Sequence, residues 1–239
     1  MHYVCSDIHG YYERFRKLLK KIDFSLDDEM YVIGDVIDRG PEPIELLLYI
    51  LSQPNIHLLI GNHEHMMMTC RHHADLTLWR QNGANVTIRQ MNRLSETAQQ
   101  YILSTMSKCP LAIPDLEVNG RHYYLVHAKP LPFYINKPLP YNLTPADELH
   151  DTVWDRDFVF GKQRPSEQFD KELCEKYRGY TTIVGHTPVI YVPYGIRNKV
   201  GQPRISRTWG GHLINVDCGC GQGKNLGCLR HEDHHEFYV

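Results

Sequence analysis

Hydrophobic positions in the first third of the chain alternate between strand-like runs and helix-like spacing. Apolar runs of strand length lie at residues 2–6, 31–33 and 56–60. Between them, residues 11–21 and 44–51 place apolar side chains three, four and seven positions apart, which is the spacing of one helix face. This alternation predicts parallel strands joined by right-handed helical crossovers, with a third helix starting near Glu64.

After residue 75 the pattern changes from helical to mostly β-structure. Residues 76–110 favour helix until Pro110 and Pro114 end the pattern, and the Pro-rich stretch 128–150 predicts a long surface loop. Further strands are predicted at residues 122–126, 181–184, 188–192, 212–217, 226–230 and 235–238. No repeat or linker divides the chain, so we expect a single domain over residues 1–239.

Composition and charge narrow the classes of function. The chain of 239 residues is 42% hydrophobic, which is sufficient for a folded core, and its net charge is −2. This charge balance disfavours nucleic acid as a partner, because nonspecific binding depends on neutralising phosphates. The most apolar run falls far short of the roughly 18 residues of a membrane span, so no membrane partner is expected.

The cysteines and the first residues favour a cytoplasmic protein with reduced thiols. Residues 1–5 lack the basic and apolar regions of a secretory signal, and the seven cysteines are an odd number. Cys218, Cys220 and Cys228 are close in sequence, but their spacing matches no common zinc motif. We therefore expect these three thiols to be buried beside turns.

Polar residues follow five predicted strands at the points where the strands end. They are Asp7, His9, Asp35, Asn62, His127 and His186. In an open α/β sheet the loops at the carboxyl ends of the strands border one crevice, so we expect these side chains to converge. A single Asp or Asn at such a place is ordinarily a helix N-cap, and a single buried His ordinarily has a structural partner. Five strands that end in this way point instead to a shared site.

The converging donors have the chemistry of a two-metal centre. The set contains two carboxylates, one carboxamide oxygen and three imidazoles without a thiolate, which suits Mn²⁺, Fe or Zn²⁺. Six ligands exceed what one catalytic ion needs, but they suit two ions that share a carboxylate. The expected ligands of the first ion are Asp7, His9 and Asp35. Asp35 would bridge to a second ion, whose other expected ligands are Asn62, His127 and His186.

The motifs around these residues resemble those of the PPP-type metallophosphoesterases, and specifically the bacterial and phage-lambda-type serine/threonine protein phosphatases. The shared segments, in order, are SDIHG, GDVIDRG, GNHE, VHA and VGHTP. The resemblance implies an α/β fold with a central β-sandwich of mixed sheets flanked by helices, the calcineurin-like metallophosphoesterase architecture. It also implies the same six ligands, two divalent cofactor ions with Mn²⁺ preferred, and hydrolysis of phosphomonoesters by a hydroxide that bridges the ions.

The resemblance further implies roles beside the metal ligands. The residues implied to bind phosphoryl oxygens are Arg39, Arg156 and Asn62. His63 would protonate the leaving alkoxide as a general acid, and Asp38 would hydrogen-bond it. The stretch from Trp79 to Thr87 resembles the family's segment that borders the site. These roles imply a phosphoprotein or phosphopeptide as the substrate.

Other functions share parts of this pattern. A symmetrical diadenosine tetraphosphate hydrolase has the same ligands, but it typically lacks the aspartate found here as Asp38 and has aspartate where this chain has Glu64. A calcineurin-like phosphodiesterase usually carries a second histidine in Gly-His-x-His, where this chain has Thr187 and Pro188. A catalytically silent metal-binding module would require a broken ligand set, whereas none of the six is substituted.

Overall fold

The first sheet carries the N-terminal strands and the end of the chain. The computed structural model describes residues 1–72, 75–131, 139–160 and 180–239. In these residues the first sheet consists of β1 (His2–Cys5), β2 (Glu29–Ile33), β3 (Ile56–Leu59), β12 (Gly227–Arg230) and β13 (Glu236–Tyr238). Its strand order is β13-β12-β1-β2-β3. The strands β1, β2 and β3 are parallel, as predicted, and β12 is antiparallel to both β1 and β13.

The second sheet is also mixed. It consists of β4 (Pro110–Val118), β5 (Arg121–Val126), β6 (Leu139–Pro140), β7 (Tyr180–Val184), β10 (Ser206–Thr208) and β11 (Leu213–Asn215), in the order β10-β11-β7-β5-β4-β6. β7 runs parallel to both β5 and β11. A separate hairpin pairs β8 (Ile196–Arg197) with β9 (Pro203–Arg204).

Alternation along the strands places each sheet between two hydrophobic layers. In β2, Tyr31 and Ile33 belong to the cluster between the two sheets, whereas Met30 and Val32 belong to the cluster that contains helix residues. From the second sheet, the layer between the sheets receives Tyr123, Leu125, Ile183 and Ile214. The sheets therefore pack face to face with helices outside, and the predicted α/β sandwich flanked by helices is confirmed.

The helices follow the amphipathic segments of the sequence. Their bounds are α1 (Tyr12–Lys21), α2 (Pro43–Ser52), α3 (Asn62–His72), α4 (Thr77–Gln81), α5 (Asn85–Met91), α6 (Glu96–Met106), α7 (Ala146–Trp154) and α8 (Asp157–Phe160). The third helix thus starts two residues earlier than predicted. In the described parts of the chain, no helix is both long enough and apolar enough to cross a bilayer.

The helical prediction for residues 76–110 is confirmed as the three helices α4, α5 and α6, whereas three other expectations about elements were wrong. Pro110 and Pro114 end the helical stretch but lie within strand β4, where Pro114 falls at an irregularity in the pairing of β4 with β5. The predicted loop 128–150 contains the first half of α7, and its residues 132–138 lie outside the described residues. The predicted strand 188–192 is a turn, because Pro188 begins it and Pro193 follows it, and neither residue can donate to a ladder.

Candidate metal centre

The ends of β1, β2, β3, β5 and β7 bring the six predicted ligand residues together. None of these residues is more than 4% exposed. Four of them have left-handed backbone with φ between 50° and 63°, namely Asp7, His9, Asp35 and His186. Such a conformation costs a non-glycine residue on the order of 1–2 kcal/mol. The backbone strain is therefore concentrated in the loops that orient the donors.

His9 and Asp35 form one part of this cluster. Nε2 of His9 lies 3.7 Å from Oδ2 of Asp35 and 4.0 Å from Oδ1 of Asp7. Nδ1 of His9 lies 3.0 Å from the carbonyl oxygen of Ile37, to which it donates. Nε2 is therefore the nitrogen with the lone pair, and it faces the carboxylates.

Asn62 lies at the centre of the other part. Its Oδ1 is 3.0 Å from Nε2 of His127 and 2.9 Å from Nδ1 of His186. Oδ1 of Asp35 is 3.4 Å from the same Nε2 of His127. One carboxamide oxygen, one carboxylate oxygen and two imidazole nitrogens therefore face one another.

Backbone carbonyl groups orient the other two imidazoles as Ile37 orients His9. Nδ1 of His127 is 2.8 Å from the carbonyl oxygen of Ile33, and Nε2 of His186 is 3.2 Å from that of Trp154. Each ring therefore turns its second nitrogen toward the cluster. Metal-binding histidines are commonly held in this way, so the donors fit divalent cations in number, type and orientation.

Asp35 is common to both parts of the cluster. The sets of His, Cys, Asp or Glu donors that lie within 4.8 Å of one another in the described residues are His9–Asp35–His63 and Asp35–His127–His186. A carboxylate in both sets is the arrangement that a bridged pair of ions needs. Asp7 belongs to neither set, and its Oδ2 accepts the backbone N–H of His186 at 3.0 Å. A ligand role for Asp7 stays a prediction.

The fully buried carboxylate of Asp38 accepts hydrogen bonds from three side chains. It accepts from Nδ1 of His63 at 2.6 Å, from Nε1 of Trp79 at 2.7 Å and from Oγ1 of Thr87 at 2.5 Å. The segment from Trp79 to Thr87 therefore borders the site as the motif resemblance implied. Its contribution is to fix the carboxylate that holds His63, which the sequence did not reveal.

Charges within the cluster set the pKa values of its members. Burial opposes the ionisation of Asp35, but His127 and His63 outweigh it and hold the pKa of Asp35 well below its usual range. Burial lowers the pKa of His63, yet the Asp35 charge and the Asp38 hydrogen bond raise it overall. Burial also acts against His127, and Asp35 nevertheless raises the pKa of His127 to about 10. A cation that binds His127 must therefore displace a proton, which couples metal affinity to pH.

Glu64 organises the backbone under the site. Its completely buried carboxylate accepts four backbone N–H groups, from Asp35 at 2.8 Å, Val36 at 2.9 Å, Ile37 at 3.3 Å and Gly61 at 3.0 Å. Burial and the Asp35 charge raise the pKa of Glu64 to about 7. Sequence reasoning used Glu64 only to separate families. Its position in the first turn of α3, right after a strand end, was the available signal.

Two arginines flank the donors. Nη1 of Arg39 lies 2.8 Å from Nε2 of His9, and Nη2 of Arg39 lies 3.0 Å from Nε2 of His63. Nη1 of Arg156 lies 3.3 Å from both the carbonyl oxygen of His186 and Oγ1 of Thr187. The predicted phosphoryl-binding residues are therefore at the donor cluster, each beside a different predicted ligand.

Gly221 closes the site on the His9 side. A Cβ atom at this position would lie 2.1 Å from Cδ2 of His9 and 3.0 Å from Nη1 of Arg39, so only glycine fits. Asp217 shapes the preceding turn, because its Oδ1 accepts the backbone N–H of Gly219 at 2.8 Å. Sequence reasoning missed both Asp217 and Gly221, although the run of glycines between the cysteines was a signal of close backbone approach.

The cysteines near this turn are buried thiols. Cys218, Cys220 and Cys228 are each at most 2% exposed, and burial raises the pKa of each. Cys228 lies opposite Cys5 in the pairing of β12 with β1. Thiols with raised pKa values are poor nucleophiles and poor metal ligands, so these residues contribute to packing.

The chain is similar to known phosphoesterases. A family model described as calcineurin-like phosphoesterase matches residues 3–214. The symmetrical bis(5'-nucleosyl)-tetraphosphatase of Pasteurella multocida is 22% identical over 272 residues, which cover 98% of this chain and 95% of that protein. Serine/threonine-protein phosphatase 2 of Salmonella typhimurium is 29% identical over 195 residues, which cover 79% of this chain and 80% of that protein.

A solved structure shows the same fold. The cold-active protein-tyrosine phosphatase of a psychrophilic Shewanella species superposes with a TM-score of 0.65 at 20% identity, over 99% of this chain and 76% of that one. Its likeness supports the architecture alone, whereas the family match covers most of the sequence. This chain is a member of the calcineurin-like phosphoesterase family of metal-dependent hydrolases.

Proposed function

We propose that this protein is a metal-dependent phosphomonoesterase that removes phosphate from phosphoserine and phosphothreonine in proteins, with activity on phosphotyrosine also expected. The observation that carries the proposal is the pair of Asp38 and His63, joined at 2.6 Å beside Arg39. A seryl alkoxide leaves poorly without a proton, so an oriented imidazole next to a phosphate-binding arginine suits this substrate.

The proposed cofactor is a pair of divalent ions, with Mn²⁺ preferred and Fe or Zn²⁺ as the other candidates. The residues proposed to hold the first ion are Asp7, His9 and Asp35, and those proposed to hold the second are Asp35, Asn62, His127 and His186. When bound, the ions would activate water for attack on phosphorus and withdraw charge from the phosphoryl oxygens.

The two arginines and Asn62 would bind the phosphoryl group. Planar guanidinium groups form paired hydrogen bonds with phosphate oxygens, and Arg39 and Arg156 approach the donors beside His9 and His186 respectively. The side-chain nitrogen of Asn62 is available for a phosphoryl oxygen, because its Oδ1 faces the two imidazoles. These contacts would align phosphorus for in-line displacement.

His63 would donate a proton from Nε2 to the leaving oxygen once Nη2 of Arg39, which lies 3.0 Å from this nitrogen, has moved from it to the phosphoryl group. Asp38 accepts from Nδ1, which fixes the ring and favours the protonated form. Asp38 is itself fixed by Trp79 and Thr87, so the direction of the imidazole is set before substrate binds. This preorganisation supports the role of His63 as general acid.

Symmetrical hydrolysis of diadenosine tetraphosphate is the second candidate function. The Pasteurella multocida relative, whose match covers nearly the whole chain, favours it. A nucleoside diphosphate is a good leaving group, however, and needs a positioned proton donor far less than a seryl alkoxide does. The Asp38–His63 pair therefore favours the phosphoprotein substrate.

A comparison of rates tests the proposal. The protein would be assayed in Mn²⁺ with a phosphoserine peptide and with diadenosine tetraphosphate, and Asp35→Asn would serve as the inactive control. We expect a higher kcat/KM for the peptide, and loss of activity in EDTA. A preference for the dinucleotide would establish the second candidate, and full activity in EDTA would refute both. A protein that binds Mn²⁺ but hydrolyses neither substrate would be a silent metal-binding module.

A further inference from the structure

A surface groove of about 660 Å³ lies outside the metal-binding cluster, where edge strands of the two sheets come together. Arg207 of β10 and Glu236 of β13 line it, and the β8–β9 hairpin forms another side. In the described residues, β10 pairs only with β11, and β13 pairs only with β12. The groove is therefore bordered by two strand edges. On the β13 edge the carbonyl oxygens of His234 and Tyr238 already accept hydrogen bonds from Arg207 and Lys21, so the side chains that line the groove are what it presents to a ligand.

The groove has an excess of positive charge. Its charged side chains are Arg197, Lys199, Arg204, Arg207 and Glu236. Glu236 is the acceptor for both Arg204, at 2.9 Å, and Arg207. One carboxylate neutralises a single positive charge, so the groove stays cationic although the chain as a whole has a net charge of −2.

The two arginines at the centre are ordered by the protein itself. Nε of Arg204 donates to the hydroxyl of Tyr238 at 3.4 Å, and the guanidinium lies over the same ring, 4.9 Å from its centroid. Nη2 of Arg207 lies 3.4 Å from the carbonyl oxygen of His234. Side chains that are already held in place lose little conformational entropy when they bind an anion.

The hairpin presents cations and apolar side chains together on an ordered turn. Oδ1 of Asn198 accepts the backbone N–H groups of Val200 at 3.0 Å and Gln202 at 2.9 Å, which fixes the turn. Ile196 is 46% exposed and Val200 is 80% exposed, next to the exposed Arg197 and Lys199. A small inorganic anion makes no favourable contact with exposed apolar side chains. A peptide with alternating acidic and apolar residues can contact both the cations and the apolar side chains.

We infer that this groove binds an extended acidic peptide segment, whose carboxylates contact the four cations and whose apolar side chains contact Ile196 and Val200. The segment would belong to a phosphoprotein substrate and would lie apart from its phosphorylated residue, an assignment that rests on the proposed function. Binding there would raise the effective concentration of the phosphorylated residue near the metal cluster.

The test measures the binding of a fluorescein-labelled peptide of about eight residues, in which glutamate alternates with valine, to the full chain by fluorescence anisotropy. The groove variant is Arg197→Glu with Lys199→Glu, which leaves Asn198 and the turn intact. The matched control is Lys17→Glu with Lys20→Glu on α1, which changes the net charge equally at exposed positions. Arg197→Ala with Lys199→Ala provides a milder second variant.

We expect the groove variant to bind the peptide at least about tenfold more weakly than the wild type, and the control to stay within about twofold. The alanine variant should fall between them, and added salt should weaken wild-type binding. Equal losses in groove and control variants, or no binding by the wild type, would overturn the inference. Displacement of the peptide by a single-stranded oligonucleotide of equal charge, more readily than by unlabelled peptide, would overturn it as well.

The result is independent of catalysis. Binding is measured without a cleavable substrate, so a protein that lacks phosphatase activity would still be expected to bind the peptide through the groove. Conversely, the groove variant should hydrolyse p-nitrophenyl phosphate at the wild-type rate, because Arg197 and Lys199 lie outside the metal cluster. The KM for a phosphopeptide with an acidic extension should rise in the groove variant alone.

Discussion

The guanidinium of Arg39 donates a hydrogen bond at 2.8 Å to Nε2 of His9, the same nitrogen that faces Asp35 at 3.7 Å. Nδ1 of His9 donates to Ile37, so Nε2 is the only lone pair of this ring. A cation that binds His9 must take that lone pair from Arg39. Under the proposed ligand assignment, occupation of the first metal position would therefore release Arg39 from His9, and we expect metal binding and substrate binding to be coupled.

Arg39→Met should separate these two effects. The variant removes a competing hydrogen bond and a positive charge, so we expect it to bind Mn²⁺ about two- to tenfold more tightly. Its KM for p-nitrophenyl phosphate should rise, because a phosphoryl contact is lost. Calorimetric titration with Mn²⁺ and steady-state kinetics measure the two quantities. Arg156→Met is the control, since it removes the same positive charge although Arg156 bonds the backbone of His186 rather than a ring nitrogen. It should raise KM but tighten metal binding less than Arg39→Met does.

His63→Asn should reduce activity toward a phosphoseryl peptide by about 10²- to 10⁴-fold, the usual contribution of a positioned acid. The loss for p-nitrophenyl phosphate should be much smaller, because nitrophenolate leaves without a proton. Asp38→Asn should also reduce activity more toward the phosphoseryl peptide than toward p-nitrophenyl phosphate. Both losses should be smaller than in His63→Asn, since Asp38 acts by orienting His63. The kinetic comparison of both substrates is the measurement. Equal losses on both would argue against proton donation.

Asp35→Asn should lower turnover by several orders of magnitude and reduce the bound metal. Asp35 is the donor that belongs to both donor sets of the cluster, His9–Asp35–His63 and Asp35–His127–His186. A neutral carboxamide is a weak bridge between cations. Metal content by mass spectrometry and kcat for p-nitrophenyl phosphate check this together. Near-normal turnover with unchanged metal content would contradict the bridging assignment.

At pH 8, above the pKa of about 7 that burial and the Asp35 charge give Glu64, Glu64→Gln should destabilise the protein by about 2–4 kcal/mol. The carboxylate accepts four backbone N–H groups with two oxygens, whereas a carboxamide has only one acceptor oxygen and adds a donor that faces those N–H groups. Urea unfolding followed by circular dichroism gives the free energy. Glu13→Gln on the exposed face of α1 is the control and should change stability by less than about 0.5 kcal/mol. A comparable loss in both variants would contradict the role of Glu64.

His231 should make the fold sensitive to acid. Its imidazole is completely buried against the rings of Tyr31 and Tyr123, and burial lowers the pKa of His231 to about 3. The unfolded chain takes up a proton below about pH 6.5, whereas the folded chain does so only near pH 3. The free energy of unfolding should therefore fall as the pH drops through this window, by on the order of 1.4 kcal/mol per pH unit from this group.

His231→Phe should reduce that dependence, because phenylalanine keeps the aromatic contacts and has no proton to gain. Urea unfolding at pH 7 and at pH 5 compares the variant with the wild type. His235→Phe changes an exposed histidine and should leave the difference between the two pH values as it is in the wild type. An unchanged pH difference in His231→Phe would contradict a protonation penalty at this position.

The sequence by itself indicated the order of helices and strands and the polar residues that converge. Helix residues repeat with a period near 3.6, so the buried face of α1 could be read directly, whereas residues 30–33 of β2 form an unbroken apolar run that is buried on both faces. Polar donors right after strands, such as Asp7 and His127, could be collected because parallel strands end at a common crevice. Local rules failed in the stretch 110–118, where a strand contains two prolines and an irregular pairing.

Only the tertiary structure decided how the donors are oriented and what holds them. The lone pair of each imidazole is set by a carbonyl group far away in sequence, as Ile33 sets His127. Asp38 is held by hydrogen bonds from Trp79 and Thr87, which lie 41 and 49 residues later in the sequence. Gly221, near the other end of the chain, packs directly against His9. Such contacts follow from the packing of the sheets, whereas local sequence patterns report only on neighbouring residues. The residue types at the strand ends therefore predict the kind of chemistry, and the packing of the two sheets sets the geometry of the site.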